Sequence, residues 1–197
     1  MTLPWICIAP NVPKILLRGV IAKTLDPDDS FYKGRIDAIA FTLEGFVVAP
    51  ARLRGIAAAV TDGRIGVEVA DTGPNFGAAY TLGQSRHFTL REYVFQPNDF
   101  WRAQMVHEAV HASFDLAGES PANDLDEACA YLAETVYVKK GVLGRTIQGS
   151  EAAVAIYTAV GEAVDRLKLH TKTGQRLTRS DVQDLIAAIN AHPGYGH

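Results

Sequence analysis

The sequence predicts an α+β fold in which a small, mainly antiparallel sheet is followed by an H-E-x-x-H helix and a helical C-terminal part. Three observations carry this. The apolar period changes from two to 3.6 near residue 97, the stretches 100–116 and 123–140 contain neither Gly nor Pro, and the short β-rich segments before them are punctuated by Gly, Pro, Asn and Ser. With 197 residues and 48% hydrophobic content, the chain is long enough for one good core. A single domain is expected, with a sheet-containing part over about 1–97 and a helical part over about 98–197.

After a lead punctuated by Pro, Asp and Gly, Ile36 to Gly45 is mostly apolar and fits either a helix or a strand. Pro50 opens a helix from Ala51 to about Thr61, with Gly55 as its weak point. Arg64 to Val69, Ala78 to Leu82 and His87 to Leu90 read as short strands, and a fourth runs from Glu92 to Phe95. The glycines at 63, 66, 73, 77 and 83 form no phosphate-binding fingerprint.

Pro97-Asn98-Asp99 then stops the preceding segment and offers an N-cap for a helix from Phe100 to Leu116, which Gly118 ends. On a 3.6 period Ala103, Val106, Val110, Phe114 and Ala117 form an apolar stripe, and Gln104, His107, Glu108, His111 and Asp115 form a polar one beside it. A second helix begins at Asn123 and continues to about Lys140. The short Gly118 to Pro121 connection folds it back on the first, with Glu127, Tyr131 and Glu134 on one face. Gly141 to Gly149 reads as a loop, Ser150 to about Leu169 as a helix, and Arg179 or Ser180 to Ala191 as another, capped by Ser180. The terminal His192 to His197 is expected to be flexible and solvent-exposed.

The chemistry lies in His107-Glu108-Ala109-Val110-His111. Two imidazoles four residues apart on a helix can hold one zinc ion, while the adjacent Glu108 sits beside the metal without ligating it and can take a proton from a water there. The motif arises by chance in roughly 1 in 100 to 200 chains of this length, so its helical context decides in its favour. A tetrahedral site needs a third protein ligand, and Glu127 and Glu134 both qualify. Each has a plainer alternative: Glu127 could complete a capping box with Asp124, and Glu134 could be solvated. Tyr131 could pack or could donate to a developing oxyanion.

Over about residues 98–140 the chain resembles the gluzincin branch of the zincin metallopeptidases. The resemblance rests on the H-E-x-x-H helix followed by Asp126-Glu127-Ala128-Cys129-Ala130-Tyr131. It implies zinc held by His107, His111 and Glu127, with Glu108 as general base and a peptide or protein substrate aligned on the edge strand of the preceding sheet. The interval from His111 to Glu127 is shorter than in better-known gluzincins, which keeps Glu134 in competition. A metzincin would need Gly and His where Phe114 and Ala117 stand. An aspartate-type site using Asp115, Asp124 or Asp126 lacks its Gly-Thr-x-Asp segment. Oxyanion candidates are Tyr131, Tyr137, Tyr157 and His170, and Asp115 or Asp126 could orient the imidazoles. His87 could reach the site from its strand.

A net charge of −3 leaves no basic footprint for nucleic acid, and the basic stretch from Arg166 to Arg179 reads as a solvated helix end and loop. No run is long enough to span a membrane, and the N-terminus has no secretory leader. Synthesis in the cytosol is therefore expected, with export by a specialised route open. The two cysteines, Cys7 and Cys129, are expected as buried thiols, and Cys129 points about 160° away from Glu127 around its helix. Two other classes stand beside the peptidase: a non-catalytic zinc-binding or interaction domain, and an amidase acting on a non-protein amide.

Overall fold

The computed structural model describes residues 14–70, 78–91, 97–141 and 151–195. The expected strand from Glu92 to Phe95, nearly all of the Gly141 to Gly149 loop, Cys7 and His197 lie outside them. The described chain is α+β.

The unassigned lead holds two helices, α1 (Lys14–Leu25) and α2 (Ser30–Asp37). Asp29 starts α2 by accepting from the Phe31 N–H at 2.9 Å, which satisfies an amide the helix itself leaves unpaired. The ambiguous stretch from Ile36 divides. It finishes α2 and then forms β1 (Phe41–Leu43), which turns through Glu44 and Gly45, both at positive φ, into β2 (Phe46–Val48). Helix α3 (Pro50–Thr61) opens on Pro50 as expected. Three strands follow, β3 (Gly66–Val69), β4 (Ala78–Thr81) and β5 (His87–Leu90), and then α4 (Asp99–Ala117) and α5 (Asn123–Lys140). The C-terminal part is α6 (Glu151–Leu167), β6 (Gln175–Leu177), a 3-10 turn (Arg179–Val182) and α7 (Gln183–Ala191).

The strands do not form one mainly antiparallel sheet. They make two three-stranded mixed sheets, ordered β2-β1-β6 and β3-β5-β4. Among the described residues the antiparallel pairs are β1–β2, joined by a two-residue turn, and β4–β5, joined by a five-residue connection, while β1–β6 and β3–β5 are parallel. Alternation along a strand fixes which face is buried but not which strand becomes its neighbour. Strand β6 lies in the stretch expected to be a solvated loop, and its Leu177 is buried. The last helical segment is capped by Thr178 in a capping box with Asp181 rather than by Ser180.

Helix α4 runs through the middle, packed on α1, α3, α5 and β4. Ala103, Met105, Val106, Ala109, Val110 and Ala112 are all fully buried, so its apolar band is wider than the expected stripe, and Ala117 falls outside it. Gly118 at φ +69° ends the helix in a Schellman motif, with Glu119 N–H donating to Phe114 O at 2.9 Å. That turn sends α5 back along α4. Small residues at 128, 129, 130 and 133 of α5 are fully buried, which lets the helix backbones approach closely.

At the other end of this hairpin, Arg35 is 1% exposed and joins three elements. It pairs with Asp99 at 2.9 Å, donates from Nε to Tyr137 O at 2.9 Å, and lies 4.0 Å over the Tyr137 ring. A Cβ at Gly141 would collide with this guanidinium, which cannot retreat without breaking those contacts. Gly141→Ala is therefore expected to destabilise the fold by about 1–3 kcal/mol, read by denaturant unfolding at unchanged m-value.

No helix among the described residues is long and apolar enough to cross a membrane.

Candidate metal centre

The four-residue spacing on α4 stacks His107 and His111 along one face, with ring centroids 5.0 Å apart. The returning α5 places Glu127 opposite both. Its Oε2 is 3.4 Å from His107 Nε2 and its Oε1 is 3.8 Å from His111 Nε2. One donor atom from each of the three lies within 4.8 Å of the others.

With both Nε2 atoms turned toward Glu127, each Nδ1 faces away, and each meets a carboxylate from α5. His107 Nδ1 lies 3.1 Å from Glu134 Oε2, and His111 Nδ1 lies 2.8 Å from Asp126 Oδ1. Glu134 in turn accepts from the Tyr157 hydroxyl at 3.0 Å. Carboxylates on Nδ1 fix the tautomer that keeps the Nε2 lone pair for a cation.

Several alternatives are corrected by this arrangement. Glu134 is 4% exposed rather than solvated, and it stands behind His107 rather than beside Glu127. Glu127 completes no capping box, because the N-cap of α5 is Ala122, which has no side-chain cap, and Asp124 pairs with Arg179 at 2.8 Å. Asp115 orients neither imidazole and instead binds Tyr80 and Arg86. His87 turns to Glu68, at 3.2 Å. Cys129 is a buried free thiol.

Glu127 Oε2 is buried and faces His107 Nε2 at 3.4 Å without making a hydrogen bond. A buried carboxylate oxygen so placed gains from a cation beside it. Ligands at about 2.0–2.1 Å from a tetrahedral zinc stand about 3.3–3.4 Å from one another; the His107–Glu127 separation is 3.4 Å and the His111–Glu127 separation is 3.8 Å, so a small inward movement would bring the donors to that spacing.

Without a cation, protons hold the charges together. Burial works against a charge on either ring, yet Glu127 and Glu134 keep the His107 pKa well above the ordinary imidazole value, and Asp126 raises that of His111. Burial pushes Glu127 up, but the imidazoles outweigh it and hold its carboxyl below the usual range. Glu108 is pushed up by burial against the pull of both imidazoles. Its Oε2 accepts from the Tyr80 main-chain N–H at 2.9 Å.

The Tyr131 ring stands edge-on to His107 at 4.6 Å between centroids, and its hydroxyl is 2.7 Å from that of Tyr195. Tyr195 belongs to the terminal segment expected to be flexible. Asn123 Nδ2 donates to its main-chain oxygen at 3.3 Å, and its hydroxyl helps hold the Glu127 carboxyl down. No periodicity or motif marks it, so only the fold reveals it. Of the other oxyanion candidates, Tyr157 is committed to Glu134 and Tyr137 lies against Arg35, while His170 follows α6 with its Nδ1 buried and unpartnered.

Glu134→Ala is expected to weaken metal binding about 10–100-fold by releasing the His107 ring, measured by competition with a chromophoric chelator.

Compared with protein-family models, with curated proteins and with solved structures, the chain gives no match.

Proposed function

We propose that this chain is a zinc-dependent hydrolase cleaving peptide bonds, with a zincin-like arrangement of its metal helix. One observation carries the reading. One donor atom each from His107, His111 and Glu127 lies within 4.8 Å of the others, and the buried Glu108, outside that set, feels the charge of all three. Two nitrogens and one oxygen suit zinc, and three protein ligands leave a position for chemistry. Zinc held by His107, His111 and Glu127 would supply a nucleophile at neutral pH and polarise a carbonyl.

The remaining work falls to the chain. Glu134 and Asp126 hold the two rings by Nδ1. Glu108 takes a proton on the oxygen that Tyr80 leaves free and returns it to the leaving nitrogen. The Tyr131 phenol, kept protonated by burial and placed by the Tyr195 hydroxyl, supplies the donor for the developing oxyanion. Strand β4 is the outer strand of its sheet and packs on α4, where an extended peptide could pair with it only at positions other than the committed Tyr80 amide.

The test is elemental analysis of the purified protein beside His107→Ala, followed by a peptide-library screen with Glu108→Gln as the blank. One zinc per wild-type chain, lost in the variant, together with cleavage absent from the blank, is the expected result. Zinc without turnover would point to a metal-binding domain, and turnover of non-protein amides alone would move the substrate class. No zinc uptake would overturn the reading.

A further inference from the structure

Glu108 and Asp115 stand seven residues apart, two turns along one face of α4, and a single residue of β4 touches both. Tyr80 donates its main-chain N–H to Glu108 Oε2 at 2.9 Å and its hydroxyl to Asp115 Oδ2 at 2.8 Å. Arg86, just before β5, donates from Nε to the same Asp115 oxygen at 2.8 Å and reaches the Asp115 main-chain oxygen at 3.3 Å. The Tyr80 ring packs on Phe88 across the hairpin, 5.1 Å between centroids, and Phe88 is fully buried. Among the described residues β4 is the outer strand and pairs only with β5, and the Tyr80 N–H is directed to α4. The hairpin is therefore fastened to α4 at Asp115 and delivers an amide two turns away at Glu108.

We infer that Tyr80, backed by Asp115 and Arg86, is the positioning residue for Glu108. The inference rests on the role proposed for Glu108 above. The amide occupies Oε2 and fixes the carboxylate rotamer, so the other oxygen is the one left to accept a proton. Asp115 is the anchor: burial opposes its charge, but Arg86 and Tyr80 keep it ionised. None of the three touches the donor set, so losing the clamp moves the base and leaves the metal in place.

The test uses the zinc-loaded full chain with Asp115→Ala, Asp115→Asn and Tyr80→Phe. Asp115→Ala and Tyr80→Phe are expected to lower kcat about 10–100-fold, with KM within about twofold and zinc stoichiometry unchanged, because a displacement of about 1 Å at a reacting group costs on that order. Asp115→Asn keeps an acceptor oxygen and should recover most of the rate. Independently of turnover, the Tyr80 amide should exchange at least about tenfold faster in Asp115→Ala by hydrogen-exchange NMR, while the Phe88 amide does not change. An unchanged Tyr80 amide, or zinc and kcat lost together in the Ala and Asn variants alike, would overturn the clamp. Should Asp115→Ala fail to fold, Arg86→Gln takes its place with the same readouts. If the wild-type chain cleaves no peptide, the proposed reaction fails alone, and the amide measurement still decides whether Tyr80 is held on Glu108.

Discussion

Glu108→Gln is expected to abolish hydrolysis by about 10²–10⁴-fold while leaving zinc content at the wild-type level. The amide side chain has nearly the shape of the carboxylate and can still accept from the Tyr80 N–H, so the contact at 2.9 Å survives. What it lacks is basicity. Steady-state kinetics on the best library peptide, with metal analysis of the same preparation, separates the base from the ligands. Full activity in the variant would remove Glu108 from the mechanism and leave the metal site standing.

The second large effect is expected at Glu127. Replacing it with Ala should cost more metal affinity than the about 10–100-fold expected for Glu134→Ala, because it removes a donor rather than the support of one. The order of the two variants in a chelator competition decides which glutamate is the ligand. The same carboxylates set a pH dependence. In the metal-free chain the His107 and His111 pKa values are raised by Glu127, Glu134 and Asp126. Their contribution to stability is then present in full below the unfolded imidazole pKa of about 6.5, and it is lost as pH rises through the folded values. Metal-free protein should thus lose stability on the alkaline side, whereas metal, which must displace those protons, should bind more tightly there. Thermal unfolding across pH with and without zinc would show the two trends diverging. Parallel curves would contradict the pairing.

Much of this was legible in the residues. The two long helices and their ends follow from gap-free periodicity, the Asn98 cap and Gly118. Four-residue spacing plus a short return connection brings both Glu127 and Glu134 toward the two histidines, and only the family resemblance preferred Glu127. Three things were not legible, for physical reasons. Strand partners depend on contacts far along the chain, so β6 and the parallel pairings left no local mark. Glu134 looks solvated because a charged residue on a helix usually is, and the partners that stabilise its burial, His107 Nδ1 and the Tyr157 hydroxyl, lie more than 20 residues away in the chain. Tyr195 sits in a segment rich in Gly and Pro, whose composition reports chain freedom and not the docking that removes it.

The division of labour between the two central helices has one more consequence. Helix α4 contributes both rings, and α5 contributes the three acids paired with their nitrogens, from positions 126, 127 and 134. A turn of α5 by a single residue, about 100°, would swing every one of those acids off its ring together. The centre therefore cannot wear away by degrees as the hairpin loosens. It is assembled or it is absent, so occupancy by the proposed metal would report directly on whether the two helices have docked in their one correct register.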